Sequence, residues 1–373
     1  MTDVPFCPWP WFHQNILTDG SVNPCCVWGG PVKKYDRSKF FDGEFMASLR
    51  QSFKEQVPHE RCNKCLRNEE IKGRSHRTYG FSIAELLEID FDAIPTLQSE
   101  EVNLSNVCNI KCRSCNQERS TKWITDAVAL GEEPVGLLNS GWKLTKEQAK
   151  NIKRLQFLGG EPLLHQDEII QALHCIKDHG DITNLIFFIN SNITVSLSDE
   201  LVGLMKLMKK VNIACSIDGI GNLNDYIRSD STWQLVRDNL TIIRQLKQNS
   251  HNINFNLVCV YSVYNAHAFI DILDLATELD VWINPIFLRV PVHLDARNLP
   301  LSYKEKLISM YQSCSVYDSQ ISQIIGHLGS NGTLSEDDWL EKFSKFNSLL
   351  DQRRGVNLAD VVPALDALLP KHK

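Results

Sequence analysis

From residue 100 onward, short apolar runs alternate with longer stretches in which apolar residues recur at helical spacing. The short runs predict strands and the longer stretches predict helices. The predicted strands cover residues 101–107, 155–158, 185–189, 211–217, 255–261 and 281–288. The predicted helices cover residues 168–178, 198–209, 233–247 and 266–279. Strands separated by helices of this length pair in parallel through right-handed crossovers, so the pattern indicates an α/β fold of six units.

The segments on either side of this region have different patterns. Residues 1–80 are rich in Cys, Trp and Gly, with one short helix predicted at 43–56. Within them, Asp19-Gly20 lies between two β-prone runs and predicts a hairpin. We expect four parts: a small cysteine-rich domain at 1–80, a linker at 81–99 with a helix at 83–89, the α/β core at 100–290, and a helical C-terminal cap at 291–373 with breaks near 326–332.

Composition is that of an ordinary globular protein, with 43% hydrophobic and 23% charged residues among 373. The net charge of -6 provides no basic stripe for phosphates, which argues against nucleic-acid binding. No apolar run reaches the length of a membrane span, and the first six residues lack the features of a secretory signal. We therefore expect a cytoplasmic protein whose grouped cysteines bind metal rather than form disulfides.

Three of the 12 cysteines form a Cys-x3-Cys-x2-Cys triplet directly after the first core strand. They are Cys108, Cys112 and Cys115, on a loop that leaves a strand end, where α/β folds usually place their chemistry. Three thiolates can hold an iron–sulfur cluster but are one short of the usual four, which leaves one iron open. Zinc is the alternative, although zinc sites favour paired Cys-x2-Cys units with four ligands.

Glycine and polar residues follow the later core strands. Gly159, Gly160, Glu161 and Pro162 come after the second strand, where two glycines let the backbone turn sharply and a carboxylate can bind an ammonium group. An ordinary tight turn is the alternative. Asn192 follows the third strand, and Ser216 and Asp218 lie at the end of the fourth.

Arg228 comes after the fourth strand and carries a guanidinium, which can pair with a carboxylate through two parallel hydrogen bonds. The alternative for Arg228 is a surface ion pair with Asp225 or Asp230. For Asp218 the alternative is a simple turn with Gly219.

A second group of cysteines lies near the N-terminus and comprises Cys7, Cys25 or Cys26, Cys62 and Cys65. The predicted hairpin brings Cys7 and Cys25 near each other at one end. Four sulfurs suit either zinc or an iron–sulfur cluster, and their spacing does not choose between the two. The scattered cysteines are expected to pack in the core: Cys175, Cys215, Cys259 and Cys314.

The triplet and the Gly-Gly-Glu-Pro segment together resemble the radical S-adenosylmethionine (SAM) superfamily. The resemblance implies a partial (β/α)6 barrel, a 4Fe–4S cluster on the triplet, and SAM bound at the open iron by its amino and carboxylate groups. It also implies that SAM is positioned by residues 159–162, Asn192, Ser216, Asp218 and Arg228. One departure is Ser114, which stands where many members carry an aromatic residue that packs over adenine.

The N-terminal cysteines, followed by Glu69, Gly73, Ser75 and Arg77, resemble the twitch module, a shortened relative of the SPASM auxiliary-cluster module. Such modules usually follow the radical SAM core, whereas this one precedes it. The resemblance implies an auxiliary iron–sulfur cluster that relays an electron or contacts substrate. A purely stabilising metal knot is the alternative, because small loop-rich regions need a staple to fold.

Relatives of this kind modify ribosomal peptides, oxidise protein side chains or dehydrogenate small alcohols. We therefore expect an enzyme that makes a 5′-deoxyadenosyl radical and takes hydrogen from a peptide or protein substrate. An external donor such as flavodoxin or ferredoxin would supply the electron. The alternatives are a tailoring enzyme that acts on a small molecule and a non-catalytic, metal-stapled binding protein.

Overall fold

The structure is a computed structural model that describes residues 6–30, 32, 36–314 and 318–370. Residues 1–5, which include most of the segment examined for a secretory signal, lie outside this range. The strands within it are β1 (His13–Ile16), β2 (Val22–Asn23), β3 (Ser99–Asn103), β4 (Lys111–Cys112), β5 (Arg154–Leu158), β6 (Ile186–Ser191), β7 (Lys210–Ser216), β8 (Arg228–Ser229), β9 (Ile253–Tyr261) and β10 (Ile283–Phe287).

The α-helices of the described residues range from single turns to five turns. They are α1 (Arg37–Phe40), α2 (Glu44–Lys54), α3 (Asn63–Lys72), α4 (His76–Leu86), α5 (Ile124–Ala129), α6 (Lys146–Ala149), α7 (Gln166–His179), α8 (Asp199–Met205), α9 (Asn222–Ile227), α10 (Trp233–Asn249), α11 (Phe269–Glu278), α12 (Leu301–Gln312), α13 (Asp318–Leu328), α14 (Glu336–Arg354), α15 (Leu358–Val361) and α16 (Pro363–Asp366).

The predicted α/β class is confirmed. The six predicted core strands are β3, β5, β6, β7, β9 and β10, which lie side by side in this order and pair in parallel. This order is that of a partial six-stranded barrel. The first strand ends at Asn103 rather than residue 107, because the chain leaves the sheet there and Ser105 forms a bridge with Asn139.

The two faces of this sheet differ in polarity. Side chains of one face, such as Val102, Phe157 and Phe187, are fully buried in the main hydrophobic cluster. The strand register places Glu101, Gln156 and other polar residues on the opposite face, because side chains alternate along a strand. We call this opposite side of the sheet the inner face.

The N-terminal region adds two strands to the same sheet. The predicted hairpin is present, with β1 and β2 antiparallel around the turn that contains Gly20, whose φ is +82°. In addition, β1 pairs in parallel with β3, with His13 opposite Ser99 and Ile16 opposite Val102. The cysteine-rich region is therefore joined to the core through backbone hydrogen bonds, a link that its sequence pattern did not predict.

The helix expected at 83–89 begins earlier than predicted, so the expected boundary between residues 80 and 81 falls inside α4. Ser75 is its N-cap, and the Ser75 and Thr78 side chains form a reciprocal capping box. Ile83, Ala84 and Leu87 of the expected linker are buried against the aromatic core of the N-terminal region. The division into four parts remains a proposal, with its first boundary moved to the C-terminal end of α4.

Aromatic residues form a second hydrophobic cluster in the N-terminal region. Its buried members include Trp9, Trp11, Phe12, Phe40 and Phe53. Cys215 and Cys259 are buried in the main core as predicted, whereas Cys175 and Cys314 are only partly buried.

The C-terminal cap is helical, as predicted, and α14 packs over the cysteine loop. Arg113 of that loop is fully buried and donates hydrogen bonds to Asn347 Oδ1, at 3.1 Å, and to Asp351 Oδ1. Its guanidinium also lies 3.7 Å from the Tyr226 ring centroid. These contacts fix the loop against α14. In the part of the chain that the structure describes, no helix has the length and apolarity needed to cross a membrane.

Candidate active site

The carboxyl ends of β3, β5, β6 and β7 surround a cavity of about 280 Å³, which we call the triplet cavity. It brings together eight of the predicted site residues: Cys108, Cys112, Cys115, Gly159, Gly160, Asn192, Ser216 and Arg228. Glu161, Pro162 and Asp218 are not on its wall. The sequence did not predict Asn103 and Asn190, which lie at or near the ends of β3 and β6, or Arg119, whose Nη1 donates to Asn103 Oδ1 at 2.6 Å.

The cysteine loop is held by a short antiparallel bridge between β4 and β8. Cys112 lies opposite Arg228, and the Arg113 amide donates to the Ile227 carbonyl at 2.7 Å. The Trp123 indole N–H donates to the Cys112 carbonyl at 2.6 Å. The loop conformation therefore depends on β8 and on the 3-10 turn before α5 as well as on its own sequence.

Burial raises the pKa of all three triplet thiols, that of Cys115 to about 11. The positive charge of Arg228 acts in the opposite direction on each of them. Metal ligation requires the thiolate form, and a bound cation would supply the missing positive charge. The donor set thus suits a cationic metal centre.

The two glycines allow the loop after β5 to lie directly against the segment that leads to Cys108. The Gly160 amide donates to the Ser105 carbonyl at 2.7 Å, and a Cβ on Gly160 would lie 2.0 Å from the Val107 carbonyl oxygen. Gly159 has a φ of +126°, a backbone conformation that residues with a side chain rarely adopt. Close backbone approach is therefore the physical reason for this glycine pair.

Glu161 is buried and its carboxylate accepts hydrogen bonds from its own chain. The Asn192 amide donates to Oε2 at 2.7 Å, and the Ser191 hydroxyl and the Leu163 amide donate to Oε1 at 2.9 and 3.0 Å. Burial nevertheless raises its pKa above the usual range. Glu161 therefore fixes the loop after β6, and its neighbour Pro162 is buried at the start of a 3-10 turn.

Asn192 connects that loop to the cysteines. Its side-chain Nδ2 donates to Asn109 Oδ1 at 2.9 Å and lies 3.8 Å from Cys108 Sγ. Its Oδ1 accepts from the Thr194 amide at 2.9 Å. An N–H group next to a ligand sulfur stabilises the thiolate.

Arg228 is buried and forms an ion pair with Asp218, at 2.8 Å between Nη1 and Oδ2. The expected alternative, a surface pair with Asp225 or Asp230, is wrong, because the β4–β8 bridge turns the guanidinium inward. Asp218 is itself fixed by the Val260 amide, which donates to Oδ1 at 2.8 Å. Arg228 Nε is buried and has no hydrogen-bond partner among the residues that the structure describes, and such a donor favours an anionic ligand.

A second cavity, of about 460 Å³, adjoins the first because Ser114 and Cys115 line both. We call it the cap cavity. Trp123, Pro291, His293 and Phe346 contribute apolar and aromatic surface to it, and the His293 and Phe346 ring centroids are 4.5 Å apart. The cap helix α14 thus brings aromatic surface close to Ser114.

Comparison with known proteins supports the resemblance that the cysteine triplet indicates. Residues 102–276 match the model of the radical SAM superfamily. The chain carries a radical SAM domain. A probable GTP 3′,8-cyclase of Methanocella arvoryzae is 33% identical over 99 residues, which are 24% of this chain and 27% of that protein. The match therefore spans about a quarter of that relative's length.

Two solved structures show a weaker likeness that extends over a larger part of the chain. The structure of anSMEcpe with bound AdoMet and the Kp18Cys peptide is 16% identical, covers 61% of this chain and 62% of its own, and has a TM-score of 0.43. The structure of Streptococcus suis SuiB bound to SAM is 14% identical, covers 76% and 59%, and has a TM-score of 0.39. Both TM-scores are below 0.5, so these likenesses say nothing about the substrate of this chain.

Outside the radical SAM domain, the N-terminal cysteines line a cavity of their own, which we call the auxiliary cavity. Cys7, Cys25, Cys62 and Cys65 lie on its wall, together with Arg77. Cys26 is not on this wall, and its Sγ lies 3.6 Å from His76 Nε2. Of the two candidates for the fourth sulfur, the structure therefore places Cys25 with the other three.

The polar residues after Cys65 hold the turn between α3 and α4. Gly73 ends α3 in the left-handed region, with φ of +67°. Glu69 accepts hydrogen bonds from Ser75 and Arg77, and Arg77 Nη1 donates to the Phe6 carbonyl at 2.7 Å. This network ties α3, which carries Cys65, to the segment that carries Cys7.

Burial also raises the pKa of three thiols near this cavity: that of Cys62 to about 11, and those of Cys7 and Cys25 well above the usual range. These three thiols therefore favour the neutral form unless a cation binds. Among the described residues, no group of three or more His, Cys, Asp or Glu side chains is arranged to hold a metal ion. The ligand roles of both sets are therefore proposals.

Proposed function

We propose that this chain is a radical SAM enzyme that abstracts hydrogen from a peptide or protein substrate. Cys108, Cys112 and Cys115 would hold a 4Fe–4S cluster whose open iron binds SAM. The observation that carries the proposal is that the triplet shares one cavity with Gly160, Ser216 and Arg228. When bound, cluster and SAM would supply a 5′-deoxyadenosyl radical at this cavity.

The chain's own residues fit the charged end of SAM. Within the described ranges, Arg228 Nε is a buried donor without a partner, and Asp218, which is not on the cavity wall, accepts a hydrogen bond from Arg228 Nη1. Arg228 would therefore bind the carboxylate. The backbone of Gly159 and Gly160 is open to the cavity and would receive the amino group. Glu161 and Asp218 would act by positioning these groups, and Asn192 by supporting Cys108.

The adenine of SAM would lie towards the cap cavity. Ser114 leaves room where an aromatic residue would otherwise stand, and Trp123, Pro291 and Phe346 provide apolar surface near it. Because α14 contributes Phe346, the C-terminal cap would complete the cofactor site. An external donor such as flavodoxin or ferredoxin would deliver the electron.

The auxiliary cavity would hold a second iron–sulfur cluster on Cys7, Cys25, Cys62 and Cys65, as in a twitch module. Four thiolates satisfy the usual ligand count of such a cluster. The connection of β1 to β3 supports a role next to the core, because it fixes the auxiliary region to the barrel sheet. The cluster would accept an electron from the substrate or contact it.

Anaerobic reconstitution with iron and sulfide, followed by reduction in the presence of SAM, tests this proposal. Two 4Fe–4S clusters predict about eight irons per chain, and the radical reaction predicts 5′-deoxyadenosine as a product. Bound zinc without SAM cleavage would instead support a metal-stapled binding protein. A small-molecule substrate would leave these results unchanged, so substrate identity needs its own experiment.

A further inference from the structure

The strand β10 lies at one edge of the main sheet. Among the described residues it is the last strand of that sheet and pairs only with β9. Hydrogen bonds to β9 fix which way its backbone groups point. The Leu257 amide donates to the Trp282 carbonyl at 3.1 Å, just before β10, and the Leu288 amide donates to the Tyr261 carbonyl at 3.0 Å, just after it. Residues 282 and 288 therefore both turn their backbone groups towards β9.

Three residues between these two positions turn their backbone groups to the free edge. They are Ile283, Pro285 and Phe287, because backbone groups alternate in direction along a strand. None of their amides or carbonyls has a hydrogen-bond partner among the described residues. Pro285 has no N–H to offer, and a proline is tolerated at an edge because no hydrogen bond of the sheet is lost there. The edge thus presents two amides and three carbonyls to a further strand.

The side chains around this edge differ between the two faces of the sheet. On the core face, Ile283 is buried and the Phe287 ring stacks on His327 of α13 with centroids 4.3 Å apart, which holds β10 in place. On the inner face, Trp282 and Ile286 are 60% and 47% exposed. Apolar side chains beside an unpaired edge can contact apolar side chains of an added strand.

The free edge borders a cleft of about 1100 Å³. Pro285 and Phe287 line this cleft together with residues from α3, α4 and α13. Arg74, which also lines it, donates to Gln323 Oε1 at 3.2 Å, and burial lowers the pKa of His76 to about 4. The cleft therefore suits a neutral chain of peptide groups. Most of the side chains that line it around the helices are uncharged and polar: Asn68, Ser75, Thr78, Tyr79, Ser82 and Gln323.

The direction of β10 leads to the triplet cavity. Ile286 lies directly opposite Val260 of β9, which lines that cavity. The chain after β10 then lines the cap cavity with Val290 and Pro291. Because parallel strands end at the same edge of a sheet, a segment paired with β10 ends beside the cysteine loop. A second copy of this chain fits less well, because its own sheet edge would have to enter the cleft beside the helices.

We propose that β10 binds an extended segment of the substrate along its free edge, as an added strand. Carbonyl oxygens of the segment accept hydrogen bonds from the Ile283 and Phe287 amides, and one amide of the segment donates to the Pro285 carbonyl. Apolar side chains of the segment contact Trp282 and Ile286. The inference rests on the proposed function and names its substrate class more closely, as a peptide chain with apolar residues at alternate positions.

Amide hydrogen exchange of the reconstituted protein with SAM tests the pairing. The probe is an acetylated and amidated seven-residue peptide of alternating threonine and valine. Its control carries prolines at the third and fourth positions, which remove one donor from each edge of the peptide strand. Without peptide, the Ile283 and Phe287 amides should exchange faster than those of Asn284 and Ile286. The probe at ten times its Kd should slow exchange of the Ile283 and Phe287 amides roughly tenfold, and the control should not.

Variants of β10 give a second test, through the Kd of the probe. Ile286→Ser removes an apolar contact with the added strand, which predicts a rise in Kd of roughly 1.5- to fivefold. Ile242→Ser on α10 is the matched control, because Ile242 is 49% exposed, and its Kd should not change. Pro285→Ala adds an N–H at the free edge and should lower the Kd by roughly two- to tenfold.

Several outcomes would overturn the inference. They are unchanged exchange of the Ile283 and Phe287 amides at millimolar probe, equal protection by the proline control, and a Kd that neither Ile286→Ser nor Pro285→Ala changes. A dimer that Ile286→Ser dissociates would assign the edge to a second copy instead. Formation of 5′-deoxyadenosine without peptide is recorded on the same preparations. Its absence counts against the proposed function alone, whereas its presence without peptide pairing counts against the inference alone.

Discussion

Cys112 and Arg228 lie directly opposite each other across the two-residue bridge between β4 and β8. The bridge therefore fixes the position of a proposed cluster ligand relative to the residue proposed to bind the SAM carboxylate. The Arg228 charge also opposes the rise that burial causes in the pKa of Cys112. Replacement of Arg228 should therefore alter both SAM binding and the conformation of the cysteine loop.

Replacement of Arg228 by Gln should weaken SAM binding strongly. A lost hydrogen bond to a charged group corresponds to about 1.5–3 kcal/mol, or roughly ten- to hundredfold in Kd. Titration of the reconstituted protein with SAM measures the effect. Because this change leaves Asp218 buried without its partner, the double variant Asp218→Asn/Arg228→Gln shows whether stability contributes.

A surface variant, Arg237→Gln, serves as the control for this titration. Arg237 pairs with Glu278 at 2.9 Å, and both side chains are more than two-fifths exposed. Its SAM affinity should equal that of the unmodified protein. Equal affinity in the Arg228→Gln variant as well would remove Arg228 from the site.

Replacement of Gly160 by Ala should displace the segment before Cys108. A Cβ there would meet the Val107 carbonyl oxygen at 2.0 Å, and backbone cannot move away as a side chain can. We expect loss of about four irons, those of the triplet cluster, with the N-terminal iron retained. Gly203→Ala is the matched control, because its Cβ would meet nothing within 4 Å in α8.

The control at Gly203 should raise stability slightly, by up to about 1 kcal/mol, since Ala favours helix more than Gly does. Thermal unfolding of both glycine variants measures this contrast. A Gly160→Ala protein that retains full iron and full stability would show that the close approach is unnecessary.

Cys25 and Cys26 are neighbours whose replacement should have different effects. Cys25 lines the auxiliary cavity with three other cysteines, whereas Cys26 is not on its wall and has its Sγ 3.6 Å from His76 Nε2. Cys25→Ser should therefore lose about four irons on reconstitution, and Cys26→Ser should lose none. Iron analysis and visible absorbance measure this. The reverse pattern would assign the ligand role to Cys26.

Asp295 should make the cap sensitive to acid. Burial alone would raise its pKa, but the His327 imidazole 3.3 Å away and the hydrogen bonds from Arg297 outweigh burial and hold the pKa below its usual range. A depressed carboxyl pKa gives stability that is present above the unfolded-state pKa of about 3.9 and is lost as pH falls below it. Stability should therefore decline on acidification through that range.

Asp295→Asn should reduce stability at neutral pH and flatten this part of the pH profile. Chemical denaturation at several pH values measures both effects. Asp178 is exposed near the end of α7, so Asp178→Asn is the matched control and should keep the acid sensitivity. An unchanged slope in Asp295→Asn would show that other carboxylates cause the decline.

Much of the core could be predicted because its signals are local. Each of the six strands is a short apolar run, and the structure confirms all six, most of them within about two residues of their predicted ends. The triplet and the Gly-Gly pair are likewise contiguous in sequence. Their convergence in one cavity follows from parallel strands, whose carboxyl ends meet at one edge.

Other features depend on contacts between distant residues, which no local pattern encodes. The pairing of β1 with β3 joins positions 86 residues apart, such as His13 and Ser99. In the sequence, a nearby surface aspartate is a possible partner for Arg228. The sequence pattern does not reveal the β4–β8 bridge, which turns this side chain inward. Asn212 on the inner face did leave a signal, since it stands between the apolar residues Val211 and Ile213 of β7.

The central claim is that the triplet, and not the N-terminal cysteines, binds the cluster that cleaves SAM. The most direct test is the combined replacement of Cys108, Cys112 and Cys115 by Ala, followed by anaerobic reconstitution. The account predicts no 5′-deoxyadenosine and about four irons that remain at the N-terminal site. Continued SAM cleavage, or loss of all iron, would contradict it.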